Sequence, residues 1–149
     1  MHSFKDEKRI VLDLETYDPD LRSLGPGVRR DGYILGVGIG IDDTATYYPL
    51  RQEHESFNNI SEDRFFDWLR KEAAEFSGEL VGANLLYDFD YLSEKGVRFP
   101  KAKVRDVLIA EPLLHDNKFG YNLDGVAEMR LGLKKQNQHL IDKYGNEYF

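Results

Sequence analysis

The sequence predicts an α/β domain: a mixed β-sheet, part antiparallel meander and part parallel strands, flanked by helices. Three observations lead there. Three strand-like runs come first, separated only by turn residues. Helical and strand periodicities then alternate, giving the order βββαβαβαα. The composition supports a packed core, with 41% hydrophobic and 13% aromatic residues in 149, enough for one domain that needs no staples.

Arg9 to Glu15 (R-I-V-L-D-L-E) reads as a buried strand. Pro19, Gly25, Pro26 and Gly27 mark a loop. Tyr33 to Ile41 is a second strand, whose glycines at 36, 38 and 40 share one face and leave room for something packed closely there. Asp42-Asp43 turns the chain, and Ala45 to Leu50 returns as a third strand to complete the meander. Ser61 is a good N-cap, with Glu62 and Asp63 in the first turn. Phe65, Leu69, Ala73 and Phe76 follow at helical spacing, and Gly78 stops that helix. A short strand at Leu80 to Ala83, a helix from about Leu86 to Glu94 and a strand at Lys103 to Asp106 come next. Val107 to Leu114 and Leu123 to Leu131 read as helices, the second stopped by Gly132. The tail from Lys134 is polar and weakly patterned.

Several function classes drop out. The chain has no cysteine, so disulfides and thiolate metal sites are excluded. It has no N-terminal apolar run and no stretch near ~18 apolar residues, so it reads as cytoplasmic, without membrane contact. Lys plus Arg number 20 against 27 Asp plus Glu, a formal charge of −7. That argues against a broad duplex-DNA footprint, which needs a basic face. It leaves open the capture of a short single-stranded end through metal ions. His2, His54, His115 and His139 are scattered and fit surface or turn roles. Phe65, Phe66 and Trp68 could stack bases, but at helical spacing they read as core.

Two clusters carry chemistry. Asp13 and Glu15 lie two apart in a strand, so both side chains project from one face at its carboxyl end. The plain alternative is a strand end turning polar as it meets solvent. Like charges on one face repel, and a divalent cation is the usual remedy. The second cluster is G-A-N-L-L-Y-D, with Asn84 and Asp88 four apart on one helical face. Its plain alternative is helix-start chemistry, with Asn84 as a cap and Asp88 facing the dipole. Taken together, hard oxygen ligands from two strand ends suit Mg²⁺ or Mn²⁺. Two such ions about 4 Å apart activate water and stabilise the leaving oxygen in phosphodiester hydrolysis.

In this order the motifs resemble those of a known family. D-L-E-T (Asp13 to Thr16) is similar to the first motif of the DEDD exonuclease superfamily, and N-L-L-Y-D (Asn84 to Asp88) to its second. R-D-V-L-I-A-E-P-L-L (Arg105 to Leu114) and Y-N-L-D-G-V-A-E-M-R-L-G-L (Tyr121 to Leu133) resemble the segments that follow in DNA polymerase I-like (family A) polymerases. The resemblance spans about Arg9 to Leu133. It implies an RNase H-like exonuclease fold with 3′–5′ proofreading activity. It also implies Asp13, Glu15 and Asp88 as catalytic carboxylates and ligands of Mg²⁺ or Mn²⁺. Thr16, Asn84 and Tyr87 would lie near the terminal nucleotide and its phosphate. The implied partners are a single-stranded 3′ end of DNA and a polymerase domain in the same or a companion chain. Asp106 reads as structural, at the start of a helix.

The family's third motif, Tyr-x-x-x-Asp or His-x-x-x-x-Asp, is not found. Tyr121 to Asp124 is one residue short, His139 to Asp142 is two short, and Tyr148 stands four after Tyr144. The expectation is therefore one exonuclease-like domain over 1–149, incomplete at its C-terminal end, with 134–149 a weakly structured tail or connection and with impaired hydrolysis. The rival readings are an inactive scaffold or DNA-end-binding module that keeps the fold, and a free-standing RNA exonuclease of the same superfamily.

Overall fold

A computed structural model describes residues 1–54, 56–117 and 120–134. The chain divides into two compact units, Met1–Val107 and a second from Leu108 onward.

The first unit is built on a five-stranded sheet. Its strands are β1 (Arg9–Tyr17), β2 (Tyr33–Ile41), β3 (Thr44–Pro49), β4 (Glu79–Gly82) and β5 (Lys103–Asp106), in the spatial order β3-β2-β1-β4-β5. The meander pairs antiparallel, whereas β4 runs parallel to both β1 and β5. The mixed sheet matches the expected one, with boundaries shifted by one or two residues. The helices of this unit are α1 (Leu21–Leu24), α2 (Glu62–Glu75) and α3 (Leu85–Glu94). α1 is one turn inside the predicted loop.

The alternation of β1 decides which face is which. Ile10, Leu12 and Leu14 are buried, and Val11, Asp13 and Glu15 between them are exposed. The buried set joins Val37, Ile39, Tyr48 and Leu80 in a core closed by Phe65, Phe66, Leu69 and Ala73 of α2. Phe65 and Phe66 are thus core residues, and Trp68 packs edge-on to Phe4. Truncating one such phenylalanine to alanine costs on the order of 3–5 kcal/mol. Ser61 caps α2, its hydroxyl accepting from the Arg64 N–H. The helix ends at Glu75, before the Gly78 expected to stop it.

On the open face, Gly36 stands opposite Glu15, and a side chain at Gly36 would collide with the Tyr47 phenol. At Gly36 the close packing expected over the strand glycines is therefore the chain's own Tyr47, while the nearest atoms over Gly38 and Gly40 belong to Asp13 and Val11 of β1. A bulge sits between Glu15 and Thr16: Glu15 pairs with Gly36 and Thr16 with Ile34, which leaves Leu35 as the extra residue. Its carbonyl accepts from the Leu50 and Arg51 N–H groups, which ties down the turn out of β3.

The second unit contains α5 (Leu123–Leu131), while α4 (Val107–Leu114) opens at the junction. Asn122 caps α5 by accepting from the Gly125 N–H, and Gly132 ends it in the left-handed conformation. Glu111 is buried and is paired by the Arg130 guanidinium at 3.1 Å. The tail from residue 135, with His139, Asp142 and Tyr144, lies outside the described residues. The described histidines, His2, His54 and His115, are exposed.

Candidate active site

The parallel strands β1, β4 and β5 bring their carboxyl ends to one edge of the sheet, where open α/β sheets hold ligands. Asp13 and Glu15 lie at the end of β1, Asn84 and Asp88 follow β4, and Asp106 ends β5.

Asp88 crosses to β1. Its Oδ1 accepts from the Leu14 N–H at 3.0 Å, and the residue is only 5% exposed. The helix-dipole alternative thus misses its main contact. Burial pushes the Asp88 carboxyl up to about 6, against the Leu14 hydrogen bond, with the negative charges of Asp13 and Asp106 adding to the rise. Asp13 and Asp88 therefore sense each other's charge. The charge of Glu15 acts on Tyr47, whose phenol is raised first by burial.

The donor chemistry fits a hard divalent ion: all oxygen, with a buried carboxylate under like-charge repulsion. Among the described residues, however, no three carboxylates or histidines stand close enough to hold an ion together.

Asn84 occupies the N-cap position of α3, but it sits in the left-handed region at φ 61° and its side chain does not cap the helix. Asp106 does the capping from the neighbouring strand, its Oδ1 accepting from the Asn84 N–H at 3.1 Å and its Oδ2 from the Leu85 N–H at 2.7 Å. The structural role read for Asp106 holds, through α3 rather than through the helix it precedes. Tertiary contact here overrides the local capping signal.

Thr16, Asn84 and Tyr87 border one open groove with a volume of about 870 Å³, whose walls include Leu21, Pro26 and Leu86. Thr16 Oγ1 lies 2.8 Å from the Tyr87 hydroxyl. Behind them stands a residue the sequence did not single out. Asp18 Oδ2 accepts from the Tyr91 hydroxyl at 2.7 Å, the Gly27 N–H at 2.8 Å and the Tyr87 hydroxyl at 3.1 Å. Burial opposes ionisation of Asp18, but these bonds and the Arg30 charge hold its carboxyl below the usual range. Burial, with the nearby Asp18 charge, raises both tyrosines. The available signal was Tyr87 and Tyr91 one helical turn apart.

No family model matches the chain. It is 38% identical over 150 residues to a DNA-directed DNA polymerase of Pseudomonas phage M6, an alignment covering 98% of this chain and 22% of that protein. Solved structures of the same fold include Brucella melitensis NrnC. NrnC bound to pGG gives a TM-score of 0.59 at 17% identity, covering 90% of this chain and 57% of that one. NrnC with bound Mg²⁺ gives 0.59 at 16%, covering 95% and 66%. The Aedes aegypti Nibbler EXO domain gives 0.61 at 10%, covering 98% and 69%. The chain is thus similar over nearly its whole length to a segment of that DNA polymerase, and it shares the fold of these solved structures, a mixed five-stranded sheet with flanking helices.

Proposed function

We propose that the chain is a 3′–5′ exonuclease module of a DNA polymerase, which removes terminal nucleotides from a single-stranded DNA end. The observation that carries this reading is the bond from the Leu14 N–H to Asp88, which sets a buried carboxylate beside Asp13 at the carboxyl end of β1. The groove bordered by Thr16, Asn84 and Tyr87 has room for a nucleotide.

In this reading Asp13, Glu15 and Asp88 would hold Mg²⁺ or Mn²⁺ by drawing together around the ion, since among the described residues they do not stand as a set ready to hold one. When bound, the metal would supply an activated water and neutralise charge on the phosphate. Asp88, fixed by Leu14, keeps its carboxylate oriented without moving the strand. Leu86 and Pro26 give the groove apolar walls against which a base can lie, and Thr16 and Tyr87 offer hydroxyls to the sugar and phosphate. Neither spacing of the third motif occurs in the sequence, and this reading accordingly expects slow hydrolysis by the chain. The polymerase relative, at 38% identity, favours DNA over the RNA alternative, because the nuclease structures at 10–17% speak for the fold alone.

Calorimetric titration with Mn²⁺ tests the reading. Binding to the parent chain that is lost in Asp13→Ala and in Asp88→Ala supports it. Equal binding by all three proteins places the ion elsewhere and counts against it.

A further inference from the structure

We propose that Asp18 is a positioning residue for the nucleotide groove, acting through Tyr87 on Thr16; this rests on the exonuclease reading of that groove. The case comes from counting protons. Asp18 is held ionised, so it only accepts hydrogen bonds. Tyr87 has one hydroxyl proton, and the 3.1 Å bond to Asp18 Oδ2 takes it. The Tyr87 oxygen can then only accept from Thr16, so in the 2.8 Å contact Thr16 is the donor. That commits the Thr16 proton away from the groove and turns its lone pairs toward it. A carboxylate at position 18 thereby fixes the orientation of both groove hydroxyls.

The surroundings hold Asp18 in place independently of any substrate. The Gly27 N–H and the Tyr91 hydroxyl bind the same Oδ2. Oδ1 is buried without a hydrogen-bond partner among the described residues, and a side chain at Gly27 would come within 2.6 Å of it. The backbone of the Gly25–Gly32 loop closes on Asp18, with the Gly32 and Arg30 N–H groups both donating to the Gly27 carbonyl. Tyr91 shares Asp18 with Tyr87 but is not among the groove's lining residues, which separates a positioning role from a merely structural one.

The experiment is a double-mutant cycle read by fluorescence anisotropy of a labelled short oligo-dT. Ca²⁺ is present, and thermal melts verify that each protein is folded. Asp18→Ala, which removes the acceptor that an asparagine would keep, and Tyr87→Phe should each weaken binding about five- to tenfold, the worth of one ordinary hydrogen bond. The double variant should be no weaker than the worse single one, and Tyr91→Phe should stay within about twofold of the parent. Additive losses in the double variant, or a loss in Tyr91→Phe equal to that in Tyr87→Phe, would overturn the role of Asp18 while leaving the exonuclease reading intact. No binding by the parent chain would overturn both. Should Asp18→Ala not fold, the contrast between the two tyrosine variants decides alone: a loss confined to Tyr87→Phe supports the proposal, and equal losses sink it.

Discussion

Asp88 Oδ1 lies 3.0 Å from the backbone nitrogen of Leu14, so the first turn of α3 is bonded to the strand that carries Asp13 and Glu15. One hydrogen bond thus joins two clusters separated by about half the chain. It also buries a carboxylate next to another, an arrangement that costs stability unless something neutralises it.

That cost predicts a pH dependence. The folded carboxyl of Asp88 titrates at about 6, against an ordinary value of 3.8. Between these values the folded chain holds a proton that the unfolded chain releases. Stability of the metal-free chain therefore falls as pH rises through this window, by on the order of 2–3 kcal/mol. Asp88→Asn keeps an acceptor for Leu14 and removes the charge. Urea unfolding should find it more stable than the parent at pH 7.5 and equal to it at pH 4. The same difference at both pH values would show that the charge is not the cause.

Asp106 predicts a second effect. Its two oxygens satisfy the Asn84 and Leu85 N–H groups at the start of α3. Asp106→Ala leaves both donors without that cap and should destabilise the fold by about 1–2 kcal/mol. Asp106→Asn keeps one acceptor and should lose less. Equal stability of alanine variant and parent in denaturant unfolding would refute the capping role.

Much of the fold was legible because the deciding signals are local. The alternation of Arg9 to Glu15 gave the strand and the face of its acids, and Ser61 with Glu62 and Asp63 gave the start of α2. The site was legible only in part. Asp106 caps a helix some twenty residues earlier in the chain, and Asp18 meets Tyr87 and Tyr91 across roughly seventy. Such contacts exist only once the parallel strands are aligned. The local rule instead pointed to Asn84, whose left-handed backbone prevents it from capping. The Glu15–Thr16 bulge was equally hidden, since Leu35 looks like any other residue of an apolar strand.

The charge balance predicts selectivity for strand state. At −7 the chain has no surplus of cations to displace condensed counterions from a duplex. A single-stranded 3′ end should bind more tightly than a blunt duplex of the same length, and divalent ion should strengthen it. Fluorescence anisotropy across a salt series checks this. Equal binding of duplex, independent of metal, would contradict the proposed groove.

The most direct measurement follows a 3′-labelled single strand incubated with the chain and Mg²⁺ or Mn²⁺. The expected result is slow release of labelled mononucleotide from the 3′ end, absent in EDTA and reduced at least ~10²-fold in Asp13→Ala and Asp88→Ala. Release that persists unchanged in Asp88→Ala or without metal would contradict the account, because the carboxylate held by Leu14 would then have no part in the chemistry.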